Sequence, residues 1–206
     1  MRLFLSSWKL GDDPRQLDEL AGEVRTMAVI GNALDAAPAE LRRQATGREM
    51  DALRERGYQV SEVDLRDYVD SPQGLAERLS GVVWVHGGNP FVLRLAMARS
   101  GADTILTGLL RRDAIVYAGW SAGACVLSPN LHGLELVDDP ADTQAAYGEP
   151  ALWDGLGLLD YAFVPHYRSP VAESEAIERV VERYEREGVA YRALRDGDVI
   201  IVKETS

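Results

Sequence analysis

Ile115-Val116-Tyr117-Ala118-Gly119-Trp120-Ser121-Ala122-Gly123-Ala124-Cys125-Val126-Leu127 runs from β-branched and aromatic residues, through Gly-Trp-Ser-Ala-Gly, into small residues that suit a helix. A G-x-S-x-G between strand and helix predicts a nucleophile elbow. The turn must be sharp, so only small neighbours let strand and helix approach closely. The hydroxyl of Ser121 would then stand clear at the carboxyl edge of a sheet. The amide of Ala122, at a helix N-terminus, would face a developing oxyanion.

Upstream, Val82–Val85 leads into His86-Gly87-Gly88-Asn89-Pro90. Two glycines after a strand expose backbone amides to an anion, and Gly88 is a candidate second oxyanion donor. Asn89 can cap, and Pro90 begin, a helix through Phe91, Leu93, Leu95 and Met97 to Gly101. Asp103 can cap the next, with Ile105, Leu106, Leu109 and Leu110 on one side. Ser169-Pro170 opens a third, striped by Ile177, Val180, Val181 and Tyr184 and closed by Gly188.

Leu3–Leu5, Met27–Ile30, Val82–Val85, Ile115–Tyr117, Ala162–Val164 and Val199–Val202 read as buried strands, and Tyr58–Val63 alternates and is a further strand candidate. Strand–helix alternation over residues 1–206 predicts one α/β domain, its mainly parallel sheet covered by helices on both faces. One stretch breaks the rhythm. Ser128–Leu158 is rich in proline and glycine and reads as an active-site loop or a surface excursion, with a hairpin at Leu134-Glu135-Leu136.

Composition narrows the function. Twenty-two Lys and Arg against 33 Asp and Glu give a net charge of −11, which repels nucleic acid and anionic membranes. No apolar run approaches a membrane span, and the N-terminus lacks the pattern of a signal peptide. The lone Cys125 permits no internal disulfide, as in a reducing cytoplasm. The expectation is a cytoplasmic monomer or homodimer.

A nucleophilic serine needs a base, and there are three histidines. His166 follows Ala162–Val164 and is the candidate if that strand runs parallel to the one before Ser121. His132 lies in the irregular stretch, and His86 at the glycine loop, where it could touch substrate. Asp196, in Leu194-Arg195-Asp196-Gly197-Asp198, is the candidate to orient the imidazole. Asp198, Asp138 and Asp139 are alternatives, and Asp-Gly is also an ordinary hairpin turn. No H-E-x-x-H pattern or paired ligand spacing suggests a metal. No phosphate-binding glycine motif suggests a nucleotide, so neither metal nor cofactor is expected.

Gly87-Gly88-Asn89 with Phe91, Tyr117 to Ala124, Pro165-His166-Tyr167 and Leu194 to Gly197 together resemble the peptidase E family of serine peptidases, relatives of cyanophycinase. The likeness covers roughly residues 80 to 202. It implies a class I glutamine amidotransferase-like (flavodoxin-like) three-layer sandwich. It also implies a Ser121–His166–Asp196 triad with oxyanion donors around Gly88 and Ala122. The family has glutamate where Asp196 aligns. True glutamine amidotransferases carry cysteine at the elbow, so Ser121 argues against glutamine hydrolysis. Cys125 reads as a small buried residue rather than a second nucleophile.

The implied substrate is a short peptide, with Asn89 and Arg168 as substrate-binding candidates. From Asp113 to Tyr167 there is no lysine or arginine. A cation for an aspartyl side chain must therefore come from Arg168 or, failing that, Arg94, Arg99, Arg192 or Arg195. An acid of the irregular stretch would suit a free α-ammonium group. A dipeptidase, extending to Asp-X substrates, is the leading expectation. Another serine acyl hydrolase on the same scaffold, an esterase or amidase, and a noncatalytic binding homologue are the alternatives.

Overall fold

The computed structural model describes residues 1–69 and 71–203. In chain order the elements are β1 (Arg2–Ser6), α1 (Arg15–Ala21), β2 (Thr26–Ile30), α2 (Ala39–Glu55), β3 (Gln59–Glu62), α3 (Leu75–Arg78), β4 (Val82–Val85), α4 (Pro90–Ser100), α5 (Ala102–Arg111), β5 (Val116–Trp120), α6 (Ala122–Cys125), α7 (Asp142–Tyr147), β6 (Ala162–Val164), α8 (Ser174–Glu187), β7 (Tyr191–Ala193) and β8 (Val199–Lys203). Six strands form a sheet in the order β3-β2-β4-β5-β1-β8. All pair in parallel except β8, which runs antiparallel to β1 along one edge.

The central strands β4 and β5 are buried at every position because both faces are covered. Leu3, Leu5, Val83, Val85 and Tyr117 face the helices α4, α5 and α6. Phe4, Val82, Trp84, Val116 and Ala118 face α1 and α2. Each fully buried side chain of this size contributes about 1.5–3 kcal/mol relative to exposure. The sandwich thus follows from the two-residue period of a strand presented to two helical layers.

Four local expectations are corrected. Val199–Val202 is a strand but a half-exposed edge, with Ile201 39% exposed. Ala162–Val164 is buried, yet it pairs with β7 in a separate two-stranded parallel sheet with its own small core against α8. Asp103 does not cap α5. Gly101 does, in the left-handed region that also ends α4, and Asp103 sits inside the first turn. Helix α8 begins at Ser174 rather than at Ser169-Pro170.

The irregular stretch holds a 3-10 turn at Leu134–Leu136 instead of a hairpin, then α7. Helix α2 was not foreseen. Its inward stripe, Arg42, Thr46, Glu49, Met50 and Leu53, is buried at helical spacing but is largely polar, so no apolar period announces it. Among the described residues no helix is long and apolar enough to cross a membrane.

Candidate active site

Three parallel strands end together. Ser6 of β1 is level with Trp120 of β5, and Val85 of β4 with Gly119. The next residues, Ser7, His86 and Ser121, therefore emerge at one carboxyl edge, where ligands of open α/β sheets bind.

Ser121 turns the chain from β5 into α6 with φ 48° and ψ −117°. Such a backbone in a residue bearing a side chain stores roughly 1–3 kcal/mol of strain. Its amide donates to the Ser6 carbonyl at 3.1 Å, and its carbonyl accepts from the Ala124 and Cys125 amides. The turn closes because Gly123 has no side chain: a Cβ there would lie 2.3 Å from the Val85 carbonyl oxygen.

His166 approaches from outside the main sheet. β6 packs against α6, and Phe163 O lies 3.5 Å from Cys125 Sγ. His166, at φ 61°, brings Nε2 to 3.1 Å from Ser121 Oγ. Its Nδ1 lies 2.7 Å from Asp196 Oδ1. The Asp196-Gly197 turn is not a hairpin, since it joins β7 of the small sheet to β8 of the large one.

Two serines that the sequence reading did not assign to the site hold this row in place. Ser7 is fully buried; its Oγ accepts from the His166 amide at 2.8 Å and donates to Asp196 Oδ1 at 2.9 Å. Ser169 Oγ accepts from the Asp196 amide at 2.8 Å. The available signal for Ser7 was its place just beyond the first strand, at the ligand-binding edge.

The glycine loop faces the serine. Gly88 has φ 136°, and a Cβ on it would lie 2.7 Å from the Ala33 carbonyl oxygen. Among the described residues, the amides of Gly88 and Ala122 donate to no acceptor within the protein. His86 buttresses the loop: Nδ1 is 2.6 Å from the Gly87 carbonyl oxygen and Nε2 is 2.7 Å from Glu49 Oε2. His86 and Glu49 are both buried.

Around these groups lies a cleft of about 350 Å³, which also takes in Trp8, Leu34, Trp120, Val137, Asp138, Val171 and Glu173. Burial, then the charges of Glu173 and Asp142, push the Asp138 carboxyl up to about 7. Among the described residues no lysine or arginine lines the cleft. Arg168 lies over the Tyr167 ring and pairs with Glu178 at 3.7 Å. Arg94 pairs with Asp103, Arg99 with Glu149, and Arg192 lies over Tyr161.

Asn89 is committed elsewhere as well. Its Oδ1 accepts from the Phe91 and Val92 amides, and its Nδ2 donates to Asp139 O and Asp142 Oδ2. Asn89 is thus the α4 cap and a tether for the irregular stretch. His132 stacks on Trp153, with ring centres 4.8 Å apart. Cys125 is buried, which holds its thiol well above the ordinary range and makes it inert.

The family model of Peptidase family S51 matches residues 18–206. The chain belongs to Peptidase family S51. It is therefore a member of a serine-type peptidase family. Among its relatives, an uncharacterized peptidase of Listeria innocua, Lin0382, is 26% identical over 153 residues, covering 74% of this chain and 70% of the relative. Peptidase E of Streptomyces coelicolor is 30% identical over 165 residues, 77% of this chain and 62% of the relative. A Drosophila melanogaster protein named "Probable alpha-aspartyl dipeptidase" is 28% identical over 163 residues, 77% of this chain and 63% of the relative. The matched region thus spans 62–70% of the length of these relatives. A crystal structure from Listeria monocytogenes EGD-e superposes with a TM-score of 0.71 at 23% identity, over 99% of this chain and 98% of that one. It shares the α/β fold.

Proposed function

We propose that this chain is a serine dipeptidase: it hydrolyses short peptides with a free N-terminus through an acyl-enzyme on Ser121. The observation that carries this reading is the hydrogen-bonded row Ser121 Oγ–His166 Nε2–Asp196 Oδ1, at 3.1 and 2.7 Å, beneath the unpaired amides of Gly88 and Ala122. His166 takes the Ser121 proton as Oγ attacks the scissile carbonyl carbon. The carbonyl electron pair moves onto oxygen, where the two amides receive it. The imidazolium, steadied by Asp196, then protonates the leaving nitrogen and the C–N bond breaks. Water, deprotonated by the same imidazole, attacks the acyl ester and frees Ser121.

The acids of the cleft supply the demand for a free N-terminus. Asp138 and Glu173 lie beside the serine with no cation among the lining residues. A substrate α-ammonium would relieve the repulsion that raises the Asp138 carboxyl. The names of the Drosophila and Streptomyces relatives make aspartyl dipeptides the first substrates to assay. The single buried thiol accords with a cytoplasmic setting.

The test is hydrolysis of Asp-Leu, Ala-Leu, Asp p-nitroanilide and a short acyl ester by the parent and by Ser121→Ala. The parent should turn over a dipeptide faster than its N-acetylated form. Ser121→Ala should lose about 10⁴-fold or more in kcat. Hydrolysis within a factor of ten of the parent would refute the nucleophile, and preference for the ester alone would refute the dipeptidase.

A further inference from the structure

We propose that a hollow beside the cleft, beyond Trp8, receives the leaving residue of the substrate: an apolar side chain with a free α-carboxylate, held by Lys9 and Arg48. This rests on the serine-peptidase reading of Ser121 and His166. The hollow has a volume of about 280 Å³, and its walls include Leu10, Ala52, Leu53 and Trp84 with Lys9 and Arg48. Trp8, His86 and Trp120 line both it and the cleft, so the two adjoin.

The direction follows from the proton. The group that deprotonates Ser121 must hand that proton to the leaving nitrogen, so the leaving residue lies against the His166 side of the serine. The ring on that side is Trp8, edge-on to His166 with centres 5.8 Å apart. Lys9 Nζ lies 5.2 Å from the centre of the Trp8 ring. End to end, these place the ammonium at most about 11 Å from the imidazole centre. One residue spans about 3.5 Å, with a hydrogen bond of about 3 Å at each end. Together these reach about 9.5 Å, so a leaving amino acid bridges His166 and Lys9 where their separation falls within that reach.

Charge order supports the same occupant. The cleft carries Asp138 and Glu173, and the hollow carries two exposed cations in a chain of net charge −11. The one acid of the hollow, Glu49, is turned onto His86 Nε2 at 2.7 Å. Acids on the acyl side and cations on the leaving side match a dipeptide zwitterion, ammonium first and carboxylate last. A longer peptide would bring an uncharged amide to Lys9 and Arg48, so the same arrangement favours dipeptides.

The experiment compares Asp-Leu, its C-terminal amide, Ala-Leu and Asp p-nitroanilide on the parent and on Lys9→Met/Arg48→Met. Both side chains are exposed, and circular dichroism checks the fold. The parent should prefer the acid over the amide by about tenfold or more in kcat/KM, mainly through KM. The double variant should lower the acid to the level of the amide and leave amide and anilide within about twofold. Equal rates on acid and amide in the parent would overturn the proposal, as would an acid preference that survives in the variant. So would loss of an Asp-Leu over Ala-Leu preference instead, which would assign the cations to the acyl side chain.

Binding gives a readout free of turnover. Titrating Ser121→Ala with L-leucine and with L-leucinamide, followed by tryptophan fluorescence and calorimetry, should show binding of the acid that the double substitution abolishes. No binding, or equal binding of the amide, refutes the subsite. Failure of the parent reading appears separately, as anilide hydrolysis that survives Ser121→Ala.

Discussion

Asp138 lies in the cleft beside Glu173, with its carboxyl pushed up to about 7 by burial first and by the Glu173 and Asp142 charges next. The native state therefore holds this proton more tightly than the unfolded chain, whose carboxyl titrates near 3.8. Between these two values the native state binds more protons, so stability falls as pH rises from about 4 to about 7. Asp138→Asn removes that loss. Its unfolding free energy should exceed that of the parent by a margin that grows across this window, approaching a few kcal/mol at pH 8. Scanning calorimetry checks it, and a margin independent of pH would clear the carboxylate. The same substitution should raise KM for dipeptides above pH 7, where the parent is ionised. At the far end of the hydrogen-bonded row, Asp196→Asn leaves Ser7 able to hold the side chain and Ser169 the backbone amide of residue 196, but favours the wrong imidazole tautomer. It should cost on the order of 10⁴-fold in kcat with little change in melting, measured by single-turnover hydrolysis.

At the scale of elements, the elbow is a close approach of β5, α6 and β4. Gly123→Ala would set a methyl group 2.3 Å from the Val85 carbonyl oxygen. Backbone cannot yield as a flexible side chain can. The variant should lose about 2 kcal/mol or more in urea unfolding and lose activity with it. Helix α4 was legible in full, because Asn89, Pro90 and Gly101 mark its ends by local chemistry. Helix α2 was not, because Arg42 and Glu49 occupy buried turns where an apolar stripe is sought. Those two residues are inside for reasons only the fold supplies: Glu49 meets His86, and Arg42 meets the acids beyond β2 and β3. The start of α8 was misplaced because Ser169 caps nothing. Its hydroxyl is taken by the Asp196 amide.

Over the whole molecule, a buried polar cluster ties the irregular stretch to the sheet. Arg42 lies 2.6 Å from Asp35 and 3.2 Å from Asp64. Asn32 Nδ2 donates to both of these acids, and Tyr147 of α7 donates to Asp35. Removing one partner leaves buried charge uncompensated. Arg42→Met should therefore cost about 3–5 kcal/mol and loosen α7 and the neighbouring Asp138. Denaturant titration measures the first, and hydrogen exchange over residues 134–148 the second. Exchange there no faster than in the parent would show that the tie is not needed.

The local code alone determined the alternation of strand and helix, the elbow at Ser121, the glycine loop and the caps of α4, because each depends on neighbours within a few residues. It also narrowed the base to three imidazoles. Tertiary structure decided which of them meets the serine. His166 reaches Ser121 from a second sheet, and Asp196 reaches His166 from a turn between sheets, distances that no spacing along the chain encodes. It likewise decided that Arg168 and Asn89 are engaged away from the cleft, that Asp138 and Glu173 enter it, and that Ser7 joins the row. A side chain's chemistry is written in its own residue type, but its partner is set by which strand ends the packed core brings together.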